Sequence, residues 1–203
     1  MVYCVGLTGG MACGKTTVAR YFAELGAAII DTDAISHALT QLGTQGLEEI
    51  IRQFGSGILL PDGRLDRAQL RTQVFSDVRA KLKLEAILHP LIHAQVLAAL
   101  HACRAPYAIL VVPLLFETGN YQPLIQRCLV VDCTEAEQIA RGTARSGLSE
   151  NEVRAIMAHQ LPRDMRLEQA DDIIHNMQDR DTLRDQVVAL HARYLTQAQG
   201  GRS

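Results

Sequence analysis

Near the start of the chain, Gly9-Gly10-Met11-Ala12-Cys13-Gly14-Lys15-Thr16 satisfies G-x-x-x-x-G-K-[S/T] at every fixed position. A β-rich run, Val2–Leu7, precedes it, and an amphipathic stretch from Thr16 to Leu25 follows, stopped by Gly26. Strand, glycine-rich loop and helix in that order build a cradle for a polyphosphate. The loop's main-chain N–H groups converge into an anion nest, and the helix start adds its positive dipole end. Gly9 and Gly14 permit backbone paths and close approaches denied to larger residues. Lys15 supplies a point charge for the β- and γ-phosphates, and the Thr16 hydroxyl is a hard oxygen ligand suited to Mg²⁺. The expected ATP-binding stretch is Gly10, Met11, Ala12, Cys13, Gly14, Lys15, Thr16 and Thr17, with Thr16 as the metal ligand.

The rest of the chain must then form a sheet that holds this loop. Further β-rich runs are Ala27–Ile30, Ala108–Val112, Cys128–Val131 and Ile173–Ile174, separated by longer amphipathic stretches. Alternation of this kind predicts an α/β fold with a three-layer architecture, a parallel sheet covered on both faces. Thr134–Glu137 and Ser149–Glu152 both read as capping boxes that open helices. Leu84, Ile87, Leu88, Leu91, Ile92, Val96 and Leu100 recur at helical spacing, and Pro90 is expected to kink or interrupt that helix after His89. More than seventy residues separate the second and third strand runs, far more than one crossover helix needs. This excess predicts an inserted helical lobe. A second insertion carries Arg141, Arg145, Arg154, Arg163 and Arg166 and no lysine. Guanidinium forks match phosphate oxygens, so this segment is expected to clamp phosphate, against the plainer alternative of a solvated helix face. The predicted division is a nucleotide-binding core of residues 1–34, 104–140 and 168–203, a helical acceptor lobe of 35–103 and an arginine-rich lid of 141–167.

Composition narrows the partners. The 203 residues carry a formal charge of −2, which argues against wholesale nucleic-acid binding. The longest mainly apolar run, Tyr107–Phe116, contains Pro113 and is too short to span a bilayer. No basic residue precedes Lys15, so no secretory signal pattern is present, and a cytoplasmic location is expected. Five scattered cysteines form no C-x-x-C pair, which speaks against a disulfide framework or a zinc site. Four are expected to pack as small hydrophobes. Cys13 is expected inside the phosphate nest, where a helix start lowers a thiol's pKa and oxidation would block nucleotide binding, with a spectator side chain as the plainer reading. His89-x-x-x-His93 has the spacing of two metal ligands, but no Glu follows His89 and Pro90 disturbs the helix, so metal binding there is not expected.

The P-loop does not name the reaction. The third strand run ends in Pro113, where many motor ATPases and GTPases place a magnesium-holding carboxylate, and no Asn-Lys-x-Asp is present. The second run leads into Asp31-Thr32-Asp33. Ligands of open α/β sheets sit outside the carboxyl ends of the strands, so these acids are expected near the phosphates. One would accept or orient a substrate hydroxyl while the other caps a helix; Asp33 is preferred as the base.

The ordered set of motifs resembles the dephospho-CoA kinase family over nearly the whole chain. It comprises Val5–Gly10 entering the P-loop, Ile30–Asp33, Leu65-Asp66-Arg67, Val74-Phe75, His89-Pro90, Val112–Glu117, Val130–Asp132, Gln160, Arg163 and Ala170–Asn176. The resemblance implies a fold like nucleoside-monophosphate kinases and transfer of the ATP γ-phosphate to the ribose 3′-hydroxyl of dephospho-CoA, the last step of coenzyme A synthesis. It implies Asp33, Lys15 and Arg141 as catalytic residues. Arg145, His175 and Asn176 would serve ATP, and Asp31, His89, Leu114, Leu115 and Glu117 the acceptor. ATP and dephospho-CoA are the implied partners, Mg²⁺ the cofactor, with no nucleic acid or membrane and a monomer or weak homo-oligomer. Ala12 stands where glycine is common in the family, and a negative φ is expected there; His175 replaces a common acid. Other readings are a nucleoside or nucleoside-monophosphate kinase, or a P-loop regulatory switch.

Overall fold

The computed structural model describes residues 2–200, with the side chains of Arg145 and Ser146 outside the described set. Within the polar tail Gln197–Ser203, residues 201–203 likewise lie outside the described residues. Two compact units emerge, Met1–Ile30 with Leu100–Ser203, and Asp31–Ala99.

The first unit is built on a sheet of five strands, β1 (Tyr3–Gly9), β2 (Ala28–Asp31), β3 (Tyr107–Val111), β4 (Arg127–Asp132) and β5 (Asp172–His175), in the order β2-β3-β1-β4-β5. β1 pairs in parallel with β3 (Tyr3↔Tyr107) and β4 (Gly9↔Val131), and β4 with β5. Each predicted strand run became a strand. The central strand β1 is buried from Cys4 to Gly9, as a parallel strand covered on both faces must be. β1 leads away towards β2 while β4 leads to β5 on the other side. Neighbouring strands whose onward connections diverge leave a crevice at their carboxyl ends.

The P-loop joins β1 to helix α1 (Lys15–Glu24). α1 buries Val18, Ala19, Tyr21 and Phe22 against the sheet and ends before Gly26, as the sequence indicates. The last helix, α10 (Arg180–Gly200), closes over the same layer, with Phe22, Tyr107 and Tyr194 stacked edge and face. The predicted capping boxes open α7 (Glu135–Ser146) and α8 (Glu150–Met157), each with both reciprocal hydrogen bonds formed. A further short helix, α9 (Arg163–Glu168), precedes β5, so residues 141–167 are the end of α7, α8 and most of α9.

The second unit is helical: α2 (Thr32–Leu39), α3 (Gln45–Phe54), α4 (Arg67–Ser76) and most of α5 (Val78–Ala102). Its core is Leu47, Ile50, Ile58, Leu65 and Leu70, packed by Leu84, Ile87 and Leu88. α5 corrects the expected break, because the helix runs unbroken through Pro90. Proline removes one N–H bond and costs about 3 kcal/mol, and the apolar face on either side of it offsets that loss. A cleft of about 460 Å³ opens beside it, lined by Gln45, Glu49, Gln53, Lys83, Ala86, Ile87, Pro90 and Leu91. Among the described residues, no helix is long and apolar enough to cross a membrane. α6 (Leu115–Thr118), a single turn after β3, completes the helices of the first unit.

Candidate active site

The loop leaves β1 at its carboxyl end and turns back on itself. The Cys13 amide donates to the Gly10 carbonyl at 3.3 Å. Ala12, third residue of that turn, has φ 56°, which overturns the expected negative value. Turns of type II demand positive φ at their third position, and the loop imposes it although a residue with a Cβ pays about 1–2 kcal/mol in the left-handed region. Gly14 follows at φ 99° and caps α1, where a Cβ would collide with the Asn176 amide. A Cβ at Gly10 would collide with the Gln138 side-chain oxygen.

Side chains from α7, α9 and the end of β5 fix this loop. Asn176 donates from Nδ2 to the Cys13 carbonyl at 2.7 Å, and its own carbonyl accepts from Arg141 Nη2 at 2.9 Å. Arg141 also holds Glu137 at 2.8 Å, while its Nη1 is buried with no hydrogen-bond partner among the described residues. Gln160 Oε1 accepts the Met11 N–H at 2.9 Å, so one amide of the nest already binds an oxygen. Lys15 Nζ donates to the Gly9 and Gly10 carbonyls at 2.9 and 3.0 Å. Thr16 is exposed in the first turn of α1, and Thr17 is half-buried beside it.

Asp132, buried at the end of β4, takes a two-point grip from Arg163 at 2.7 Å on each oxygen, with His175 Nδ1 at 3.4 Å. Burial pushes this carboxyl up, but the Arg163 hydrogen bonds and charge, with His175, outweigh it, and the group lies below the usual carboxylate range. Arg166 is buried, donates to the Leu161 carbonyl at 2.6 Å and approaches Gly10. Arg154 pairs with Glu150 on an exposed helix face, the plain role for a surface charge. Of the predicted clamp, then, Arg163 and Arg166 hold the segment in place, and Arg141 holds Asn176, which in turn holds the loop. The Arg145 side chain lies outside the described residues.

In the second unit, Asp31 caps α2, accepting from the Asp33 and Ala34 amides at 2.9 and 3.3 Å. Asp33 stands exposed in the first turn of α2, and His89 exposed on α5. In the first unit, Leu114 is exposed, whereas Leu115 is fully buried against Gly6. Glu117 accepts the Leu161 amide at 2.6 Å. Cys13 departs from expectation: its side chain is buried in the sheet core beside Cys133, not directed into the nest. Sequence reasoning missed Gln138 as a neighbour of Gly10, gave Gln160 only as part of a motif, and named Arg163 and Arg166 as clamp residues without their partners Asp132 and Leu161. No local pattern marks Cys133, which lies far along the chain.

A phosphate loop at the diverging ends of β1 and β4, steadied by an arginine-bearing segment, defines the P-loop class of nucleotide-binding folds. The sequence profile described as dephospho-CoA kinase matches residues 3–182. A dephospho-CoA kinase of Nitrosospira multiformis is 53% identical over 196 residues, covering 97% of this chain and 98% of its own. That of Thiobacillus denitrificans is 52% identical over 197 residues, covering 97% and 98%. The solved dephospho-CoA kinase from Campylobacter jejuni superposes with a TM-score of 0.70 at 28% identity, covering 95% of this chain and 97% of that one. The chain belongs to the dephospho-CoA kinase family.

Proposed function

We propose that this chain transfers the γ-phosphate of ATP to the ribose 3′-hydroxyl of dephospho-CoA, giving coenzyme A and ADP. The observation that carries the reading is the loop from Gly9 to Thr16, held at the carboxyl end of β1 by Asn176 and Gln160. Phosphoryl transfer asks little covalent chemistry of a protein; it asks for positioning and neutralised charge. The amides of Gly10 to Thr16 and the Lys15 ammonium serve the β- and γ-phosphates, with Thr17 beside them. Arg141 serves the transferred group, and its unpartnered buried Nη1 supports this, because a stranded cationic donor is costly until an oxygen arrives. Arg145 is read as its companion.

The Thr16 hydroxyl, solvent-exposed at the loop's exit, suits a hard cation that keeps most of its water. The Thr16 hydroxyl would help hold Mg²⁺ there, and the ion would supply neutralising charge for the phosphates. Asp33 accepts the proton of the attacking hydroxyl, and Asp31, spent on capping, orients Asp33 by holding its amide. His175 and Asn176 flank the adenine, Asn176 chiefly by steadying the loop. Leu114, Glu117 and His89 border the acceptor, and Leu115 shapes that border from the core. The enzyme works in the cytoplasm as a monomer or weak homo-oligomer, without nucleic acid or membrane.

An acceptor panel with product identification tests the reading. ATP consumption should depend on dephospho-CoA and yield a 3′-phosphorylated product. Phosphorylation of uridine or AMP with dephospho-CoA inert would make the chain a nucleoside or nucleoside-monophosphate kinase. Tight nucleotide retention without acceptor-dependent turnover would favour a switch.

A further inference from the structure

Beneath the P-loop, the Cys13 and Cys133 sulfurs lie 2.7 Å apart, both side chains fully buried in the first unit. They are separated by 120 positions in sequence. Cys13 belongs to the loop itself, and Cys133 follows the last residue of β4. Both are free thiols. The gap exceeds a disulfide bond by only about 0.7 Å. We propose that Cys13 and Cys133 are an oxidative modification site, a dithiol that peroxides convert to a disulfide pinning the P-loop to the end of β4.

The chemistry balances with hydrogen peroxide as oxidant. The Cys13 thiolate attacks one peroxide oxygen, the O–O bond breaks, and the departing hydroxide takes up the Cys13 proton as water. Cys13 is now a sulfenic acid. Cys133 attacks its sulfur, the S–O bond breaks, and the second oxygen leaves as water with the Cys133 proton. Two thiols lose two electrons, and the peroxide gains them. The order of attack has a physical basis. The hydrogen bond from Cys133 lowers the Cys13 pKa, opposed by burial and aided by the charges of Lys15 and Arg166. The same pairing, with burial, raises Cys133. Cys13, carried on the loop near Lys15 and Arg166, is assigned as the nucleophile towards peroxide and Cys133, behind it at the end of β4, as the resolving thiol.

The pair sits below the loop, on the side away from the amide nest, so the cross-link acts on ATP through loop geometry. Displacements approaching 1 Å in a phosphate cradle cost turnover on the order of 10-fold or more. The full-length protein, reduced and then treated with peroxide, is alkylated, digested and weighed, and its acceptor-dependent turnover is measured in parallel. We expect the peptides bearing Cys13 and Cys133 to appear joined, lighter by two hydrogens than their sum, and turnover to fall about 10-fold and return with dithiothreitol. Cys133→Ala, with Cys133→Val as a second variant should the first fold poorly, should keep basal turnover and show neither the link nor the reversible loss. Recovery of Cys13 and Cys133 as separate alkylated peptides while the half-exposed Cys103 is oxidised would overturn the proposal. A link that leaves turnover unchanged, or the same reversible loss in Cys133→Ala, would overturn its coupling to ATP chemistry. The turnover arm rests on the proposed function; the peptide masses do not, so failure of one is distinguishable from failure of the other.

Discussion

The sheet unit and the helical unit solve different problems with different amounts of core. In the sheet unit Val5, Leu7, Phe22, Leu129, Val131 and Tyr194 belong to one continuous buried cluster, and the P-loop sits directly on it through Cys13. In the helical unit Leu47, Ile50, Ile58, Leu65 and Leu70 form a small cluster, while Phe75, Val78 and Leu82 remain exposed. A phosphate nest works by main-chain amides aimed at fixed points, so it needs a rigid support. The cluster of the helical unit is smaller than that of the sheet unit, so its cost of local opening is expected to be lower. The contrast teaches that the phosphate loop rests on the larger core, while the proposed base, Asp33, stands on the unit with the smaller cluster.

The sharpest way to break this division is at Asp33, the acid placed at the start of the helical unit. Asp33→Asn should lower kcat by about 10²–10⁴-fold while ATP affinity, measured by calorimetry, stays close to wild type. Unchanged turnover would remove Asp33 from the chemistry. Lys15→Ala should lower turnover by about 10²–10³-fold and weaken ATP binding as well; a loss confined to the acceptor's KM would contradict its place on the phosphates.

Ile50→Ala should destabilise the helical unit by about 2–4 kcal/mol. Hydrogen exchange should then quicken in residues 31–99 while β1 and β4 keep their protection. Equal loss in both units would show that they open together. Arg163→Ala strands the buried Asp132 and should cost about 2 kcal/mol, less than the 3–5 of a fully buried pair because Arg163 is partly hydrated. The pH dependence has a definite sign. Asp132 titrates below its unfolded value of about 3.9, so its contribution is complete above that pH and is lost as pH falls through the depressed folded value. Urea unfolding at several acidic pH values should show a shallower decline in the variant. The smallest effect is at Ala12, where glycine relieves a left-handed strain and adds unfolded-state entropy. Ala12→Gly should raise stability by about 0.5 kcal/mol with turnover unchanged; a loss of stability would mean the strain is not there.

What the sequence made legible follows the range of the interactions involved. The P-loop, the five strands and both capping boxes are local patterns, each closed within a few residues, and each is found where the pattern places it. Asp31 and Asp33 carried a local ambiguity between cap and base, and the cap at Asp31 is now seen. Contacts between distant segments left no such trace. Nothing near Gln160 says that its side chain takes the Met11 amide, and nothing near Cys133 says that it meets Cys13. Ala12 and Pro90 misled for a related reason. Each is a residue whose own preference opposes its site, and the surrounding turn or helix overrides it.

Titration of the isotopically labelled protein with Mg²⁺–ATP, followed amide by amide, tests the central claim most directly. The account predicts that the largest shifts fall on the backbone amides of Gly10 to Thr16, with Met11 among them as Gln160 yields to phosphate. Shifts concentrated elsewhere while those amides stay still would contradict it.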